Sequence, residues 1–156
     1  MPTIRKVRKE DERVLWQIKH DTIRNINIKD YSEQQVQAWA PELFEENKWA
    51  KRIRDRNPFI AEINGTIVGY ADVQSDGLID HFFCHSQYQG RGIGKVLMLS
   101  IFKEAQAKKI SRLYSHVSVT AKPFFEHFGF TVIKKQNVEI RGQVLINFVM
   151  QNNLKN

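Results

Sequence analysis

The chain reads as an α+β domain in which a mixed, mostly antiparallel central sheet is flanked by helices, and three observations predict it. Two strand-like runs, PFIAEI and TIVGYADV, are joined by Asn64-Gly65, a dipeptide suited to a tight hairpin turn. In the stretch 93–105, Ile93, Leu97, Ile101 and Ala105 recur at four-residue spacing and describe one face of a helix. A second pair of strand-like runs, 130–140 and 144–150, turns at Arg141-Gly142. With 156 residues, 42% hydrophobic and 26% charged, the chain can build one core and lacks the signature of disorder. A single domain over residues 1–156 is therefore expected.

The elements follow in order. Residues 3–7 make a short first strand. Over 9–25 the positions of Val14, Trp16, Ile18 and Ile23, with Ile26 beyond, predict an amphipathic helix of imperfect period. Ser32 is an N-cap residue and Gln35, three residues on, completes a capping box, so a second helix starts there and stops at Pro41. A further helical piece spans 43–53 with Phe44 and Trp49. Beyond Pro58 come the Asn64-Gly65 hairpin, a turn at Asp76-Gly77 and the run LIDHFFC, which predicts three antiparallel strands in succession. After the best helix, whose end carries Lys103, Lys108 and Lys109 in accord with its dipole, Leu113, Val117 and Val119 mark a strand. Thr120 then caps a short helix bearing Ala121, Phe124, Phe125 and Phe128 and ended by Gly129.

Several function classes fall away. The apolar runs are only a few residues long, and the N-terminal MPTIRKVRKEDER is charged where a signal peptide needs an apolar centre, so neither a membrane span nor a secretion signal is expected. The one cysteine, Cys84, has no internal partner for a disulfide, which fits a cytoplasmic protein. Lys and Arg number 24 against 17 Asp and Glu, a formal charge of +7 that favours anionic partners. The cations are scattered, with KWAKRIRDR at 48–56 the densest run, and they read as a solvated face, so no nucleic-acid partner is expected. No metal site is expected either: His81 and His85 share a strand face but stand about 13 Å apart along it.

The stretch YQGRGIGKVL at 88–97 holds three alternating glycines. A dinucleotide fingerprint would need glycine where Lys95 stands, and a P-loop would need glycine at Gln89 and a hydroxyl at Val96. A plain turn would need one glycine. Three of them strip the side chains from an arc of backbone at the start of a helix, where consecutive N–H groups and a partial positive charge favour an anion. Arg91 and Lys95 add charge of the same sign, so the reading is a phosphate site.

The run from Gln89 to Gly94, QGRGIG, matches the Q/R-x-x-G-x-G/A signature of the GNAT superfamily of N-acetyltransferases. IDHFFCHS at 79–86 resembles the strand that precedes the signature in that family, with Cys84 at the usual valine and Ser86 at the usual proline. AKPFFEHFGF at 121–130 is similar to the family's segment before its final hairpin, and YSEQQVQAWAPE at 31–42 resembles a bacterial branch of mostly unassigned substrate. The resemblance implies acetyl-CoA as co-substrate. It places the pyrophosphate on the backbone of Gln89, Gly90, Arg91, Gly92, Ile93 and Gly94. It lays pantetheine as an extra strand along Phe83 and Cys84, and brings Arg91, Lys95 or Lys122 to a phosphate, with Thr120 and Phe125 beside the cofactor.

The activity implied is acetyl transfer to a primary amine of a small molecule or peptide, by direct attack in a ternary complex. Asp80 is the first candidate for general base, since many members carry an acid there, against a plain reading as a charge paired with a nearby cation. His81 is second, and strand alternation would set it on the face opposite Asp80. Many members carry a tyrosine where Phe125 stands, which leaves the acid open among water, Tyr114, Ser118 and Thr120, or an unaided thiolate. For the same reason the rival function is a CoA-binding sensor or regulatory module with weak chemistry. Cys84, in an apolar run without a base, reads as a small hydrophobe rather than a nucleophile. Tyr31 and Trp39 either line the acceptor side or pack the core, and a monomer and a homodimer are equally compatible with the sequence.

Overall fold

The computed structural model describes residues 1–154. Strand β1 (Thr3–Lys6) leads through a 3-10 turn (Lys9–Asp11) into helix α1 (Glu12–Asn25). The turn delays the helix because Asp11 is tied back: its carboxylate accepts from the Arg8 N–H at 2.7 Å and from the Arg5 guanidinium at 2.7 and 3.0 Å. The buried stripe of α1 runs through Leu15, Ile18, Thr22 and Ile23, while Val14 is exposed, which corrects the phase expected from the sequence.

Helix α2 (Glu33–Trp39) begins with the predicted capping box, the Gln35 N–H on Ser32 Oγ at 3.1 Å and the Ser32 N–H on Gln35 Oε1 at 2.8 Å. Helix α3 (Glu46–Arg56) starts and ends later than its expected 43–53 span. Strands β2 (Phe59–Ile63) and β3 (Thr66–Ala71) form the predicted hairpin, with Asn64 and Gly65 both at positive φ, 50° and 81°. There follow β4 (Leu78–Ile79), β5 (Phe82–Cys84), α4 (Ile93–Ala107), β6 (Arg112–Ser118), α5 (Lys122–His127), β7 (Thr131–Ile140) and β8 (Gln143–Asn153).

The strands form two four-stranded sheets, β1-β2-β3-β5 and β4-β6-β8-β7. All pairings are antiparallel except β4 with β6, which is parallel. The run LIDHFFC, expected as one strand continuing the first sheet, is thus two short strands in different sheets. Asp72 explains the break. Its Oδ1 accepts the N–H of both Asp80 (3.0 Å) and His81 (2.5 Å), and its Oδ2 accepts from Gln74 Nε2 at 2.6 Å. Successive N–H groups of a regular strand point to opposite edges, so two of them converging on one acceptor force the chain to bend.

Helix α4 closes the seam between the sheets. Its Ile93, Leu97, Met98, Ile101 and Ala105 cluster with Ala61, Val68 and Ala71 of one sheet and with Leu113, Val117 and Met150 of the other. Gly69 permits the approach: a Cβ there would stand 3.0 Å from both Ile93 Cγ2 and the Phe83 carbonyl oxygen. A second cluster joins Leu15 and Ile18 of α1 and Trp49 and Ile53 of α3 to Ile60 and Tyr70 of the first sheet.

Candidate active site

Because β4 pairs with β6 at Tyr114 and Ser115 while β5 pairs with β3, strands β5 and β6 part from one another. A cavity of about 900 Å³ opens between them, bordered by Phe82 and Cys84 on one side and Val117 and Ser118 on the other. It runs from the glycine turn at Gly92 and Gly94 to Asp80 and His81.

The register fixes which backbone groups face this cleft. The Asp72 N–H bonds the His81 carbonyl at 3.1 Å and the His85 N–H bonds the Val68 carbonyl at 2.8 Å. Alternation therefore commits Phe83 to its partner Tyr70, and turns the backbone of Phe82 and Cys84 outward. The expected edge of Phe83 and Cys84 is corrected to this pair. The Cys84 carbonyl already accepts from Thr22 Oγ1 at 2.8 Å and Gln89 Nε2 at 3.0 Å, so the Gln89 side chain locks the turn. The Phe83 ring instead stacks on Tyr70, with centroids 5.8 Å apart, and borders the cavity from the α1 side.

At the glycine turn, Gly90 and Gly92 have φ of 75° and 79°, and a Cβ on either would meet only open space. Gly92 is the N-cap of α4, and Val96 is the first residue to bond back, to the Gly92 carbonyl at 3.2 Å. The N–H groups of Ile93, Gly94 and Lys95 therefore lack intrahelical acceptors, three donors together at the positive end of a 15-residue helix. Gly94 serves packing: a Cβ there would lie 2.8 Å from a Phe124 ring carbon. Of the three cations expected at phosphate, Lys95 borders the cavity. Arg91 sits over the ring of the cavity-lining Tyr88 at 5.1 Å, and Lys122 is ion-paired to Glu126 at 3.2 Å.

Phe125 is buried among Phe82, Phe124 and Phe130 and has no hydroxyl to offer. The Tyr114 hydroxyl donates to Asp76 at 2.7 Å, away from the cleft. Ser118 Oγ accepts from the Ala121 N–H at 3.1 Å and from Asn27 Nδ2 at 3.3 Å. The N-cap of α5 is Ala121, with no side-chain cap hydrogen bond, which corrects the cap expected at Thr120; the Thr120 Oγ1 is instead buried beside the cavity with no partner among the described residues. Burial pushes the Cys84 thiol up to about 12, so it stays protonated near neutrality.

At the other end, Asp80 Oδ2 meets Arg56 Nε at 2.8 Å and Arg52 Nη2 at 3.4 Å, the pairing with cations weighed against a catalytic role. Burial opposes its ionisation, but the guanidinium groups of Arg52 and Arg56 outweigh burial and hold the carboxyl below its usual range. His81 is buried, neither ring nitrogen has a hydrogen-bond partner among the described residues, and burial pushes its pKa down to about 3. Its Nδ1 lies 3.9 Å from Asp80 Oδ2. The two side chains thus share one pocket, against the expectation of opposite faces, because the break at Asp72 suspends strand alternation.

Tyr31 is a strut: its hydroxyl donates to the Ile146 carbonyl at 2.7 Å and accepts the Val119 N–H at 2.8 Å. Trp39 packs edge-on against it at 5.5 Å, and both rings border the cavity. Three residues of this region escape a reading of the sequence: Asp72, Lys19 and Arg52. Lys19 stands three residues before Thr22, whose hydroxyl reaches β5, and that spacing on one helical face was the available signal.

These features can be set beside known proteins. The family model for the acetyltransferase (GNAT) domain matches residues 27–152. The uncharacterized N-acetyltransferase YafP of Escherichia coli (strain K12) is 36% identical over 121 residues, covering 78% of this chain and 75% of YafP. A GCN5-related N-acetyltransferase from Rhodopseudomonas palustris superposes with a TM-score of 0.94 at 32% identity, covering 99% of this chain and 96% of that one. The PaiA N-acetyltransferase of Thermoplasma acidophilum, solved in complex with coenzyme A, shares the fold at a TM-score of 0.75 and 19% identity, covering 99% of each chain.

A splayed sheet that opens onto an amide-rich helix start is the frame of an acyl-CoA-dependent transferase. The chain belongs to the GNAT acetyltransferase family and is an N-acetyltransferase that depends on acetyl-CoA. The residues present suit that co-substrate: open donors at α4, the Phe82 backbone and the Cys84 N–H on the outward edge of β5, and a Thr120 hydroxyl without a partner among the described residues. Among the described residues no helix is long and apolar enough to cross a membrane.

Proposed function

We propose that this enzyme moves an acetyl group from acetyl-CoA to a primary amine of a small molecule or peptide, by direct attack while both substrates are bound. The observation that carries the reading is the single cavity that joins the donors of α4 to the Asp80–His81 end. Bound acetyl-CoA supplies an activated acyl carbonyl and a thiolate leaving group. The N–H groups of Ile93, Gly94 and Lys95 hold phosphate, with Gly90 and Gly92 leaving room for it. The Cys84 N–H and the backbone of Phe82 hold the pantetheine amides.

An alkylamine of pKa ~10 must shed a proton at neutral pH at a cost of roughly 4 kcal/mol. Asp80 is the acceptor for that proton, with His81 beside it as the second. A carboxylate held ionised by two arginines is a weak base, but Lys19 and Arg52, which line the same cavity, also disfavour an ammonium there and so lower the acceptor's own pKa. The Thr120 hydroxyl, lining the cavity and without a partner among the described residues, would supply a hydrogen-bond donor to the leaving thiolate. The protonated Cys84 thiol supports direct transfer over an acetylated enzyme. Residues 1–156 are read as one domain, its last two lying outside the described residues, and the lone free thiol fits a cytoplasmic setting.

Asp80→Asn tests the base. It should lower kcat by roughly 100-fold while acetyl-CoA affinity holds. An unchanged kcat and pH–rate profile would remove Asp80 from the role. A second reading, a CoA-binding sensor, rests on Phe125, which cannot donate to a leaving group. Acetyl-CoA binding with no turnover on any amine would favour it.

A further inference from the structure

The acceptor end of the cavity holds more positive charge than attack by an amine requires. Lys19 of α1 and Arg52 of α3 both border it, beside Asp80 and His81. The Asp80 carboxylate is already engaged by Arg56 and Arg52 at 2.8 and 3.4 Å. Lys19 has the Trp49 ring 5.5 Å from its ammonium and, among the described residues, no hydrogen bond or ion pair. Burial, and then the charge of Arg52, push it down to about 8, with Arg141 acting in the same direction and Asp80 against it. A partly buried ammonium without a partner is a standing cost that a ligand anion would relieve.

We propose that the acceptor amine carries an anionic oxygen group, a carboxylate or a phosphate, and that Lys19 and Arg52 hold it while the amine faces Asp80 and His81. The assignment rests on the transferase reading for the amine's direction, but the anion site stands on the geometry alone. A plain alkylamine or a polyamine would bring its own positive charge against Lys19 and Arg52. An anion between the two neutralises them and anchors the amine from one side.

Matched pairs test this: an α-amino acid with its decarboxylated amine, and phosphoethanolamine with ethanolamine. Each is measured twice, by kcat/KM with acetyl-CoA and by calorimetric binding to protein saturated with CoA, which needs no turnover. The anionic member should be preferred at least about tenfold, and the arm with the larger preference tells carboxylate from phosphate. Lys19→Gln and Arg52→Gln should each cut that preference about tenfold while Lys19→Arg keeps it, with acetyl-CoA affinity unchanged in all three. Equal binding within both pairs, no binding of either anionic amine, or a preference that survives Lys19→Gln would overturn the proposal. An anion preference in binding without thiol release would uphold the site and remove the transferase reading instead.

Discussion

Asp72 does not itself line the cavity, yet through the N–H groups of Asp80 and His81 it decides which side chains reach the wall. Replacing it with alanine leaves the N–H groups of Asp80 and His81 without an acceptor in a buried setting, a loss of roughly 2–5 kcal/mol measurable by urea unfolding. Burial pushes the Asp72 carboxyl up to about 6, so the folded state holds a proton that the unfolded chain releases near pH 4. Stability from this group therefore falls as pH rises from about 4 to about 6, and Asp72→Asn should flatten that part of the stability profile. Lys19 titrates in another window. Its ammonium faces Arg52 of α3, Asp80 and His81 at the strand break, and Arg141 at the last turn, and its pKa lies at about 8. Binding of an unreactive carboxylate should weaken as pH rises through about 8, and Lys19→Arg should remove that weakening. A flat binding curve in the parent enzyme would detach Lys19 from the anion.

At the scale of elements, hairpins and helices announced themselves because their signals are local. Asn64-Gly65 and Arg141-Gly142 sit at positive φ as their turns require, and the Ser32–Gln35 box starts α2. The strand break stayed hidden because its cause is eight and nine residues away in sequence: the Asp72 carboxylate on the Asp80 and His81 N–H groups. Local alternation alone reads LIDHFFC as one strand. The start of α5 differs from the local signal in the same way: its N-cap is Ala121 without a side-chain cap, and the Thr120 hydroxyl that suggests a cap is buried beside the cavity instead. The turn before α4 carries its own prediction. Gly92→Val must place a branched side chain at φ 79° and fill the space in front of three helix donors, so acetyl-CoA affinity should fall at least about 100-fold. Retained affinity would separate the turn from the phosphate.

On the whole-molecule scale, two sheets that share one core yet part at a single seam give this chain its cavity. Family membership was legible in a few motifs, because the phosphate site is built from backbone and its glycines are fixed by that geometry. The acceptor end was not legible, because Lys19, Arg52, Asp80 and His81 come from α1, α3 and the strand break, and nothing in their spacing brings them together before the chain folds. Basic residues that read as a solvated face include Arg52, which lines the cavity, and Arg56, which fixes Asp80.

Direct transfer requires the seam to hold acetyl-CoA and an amine at once. Release of free thiol from acetyl-CoA, followed across a panel of amines with and without an anionic group, addresses it most directly. Release that depends on added amine, rises with pH as the amine loses its proton, and disappears in Gly92→Val is the expected result. Tight acetyl-CoA binding with thiol release that no amine accelerates would contradict direct transfer.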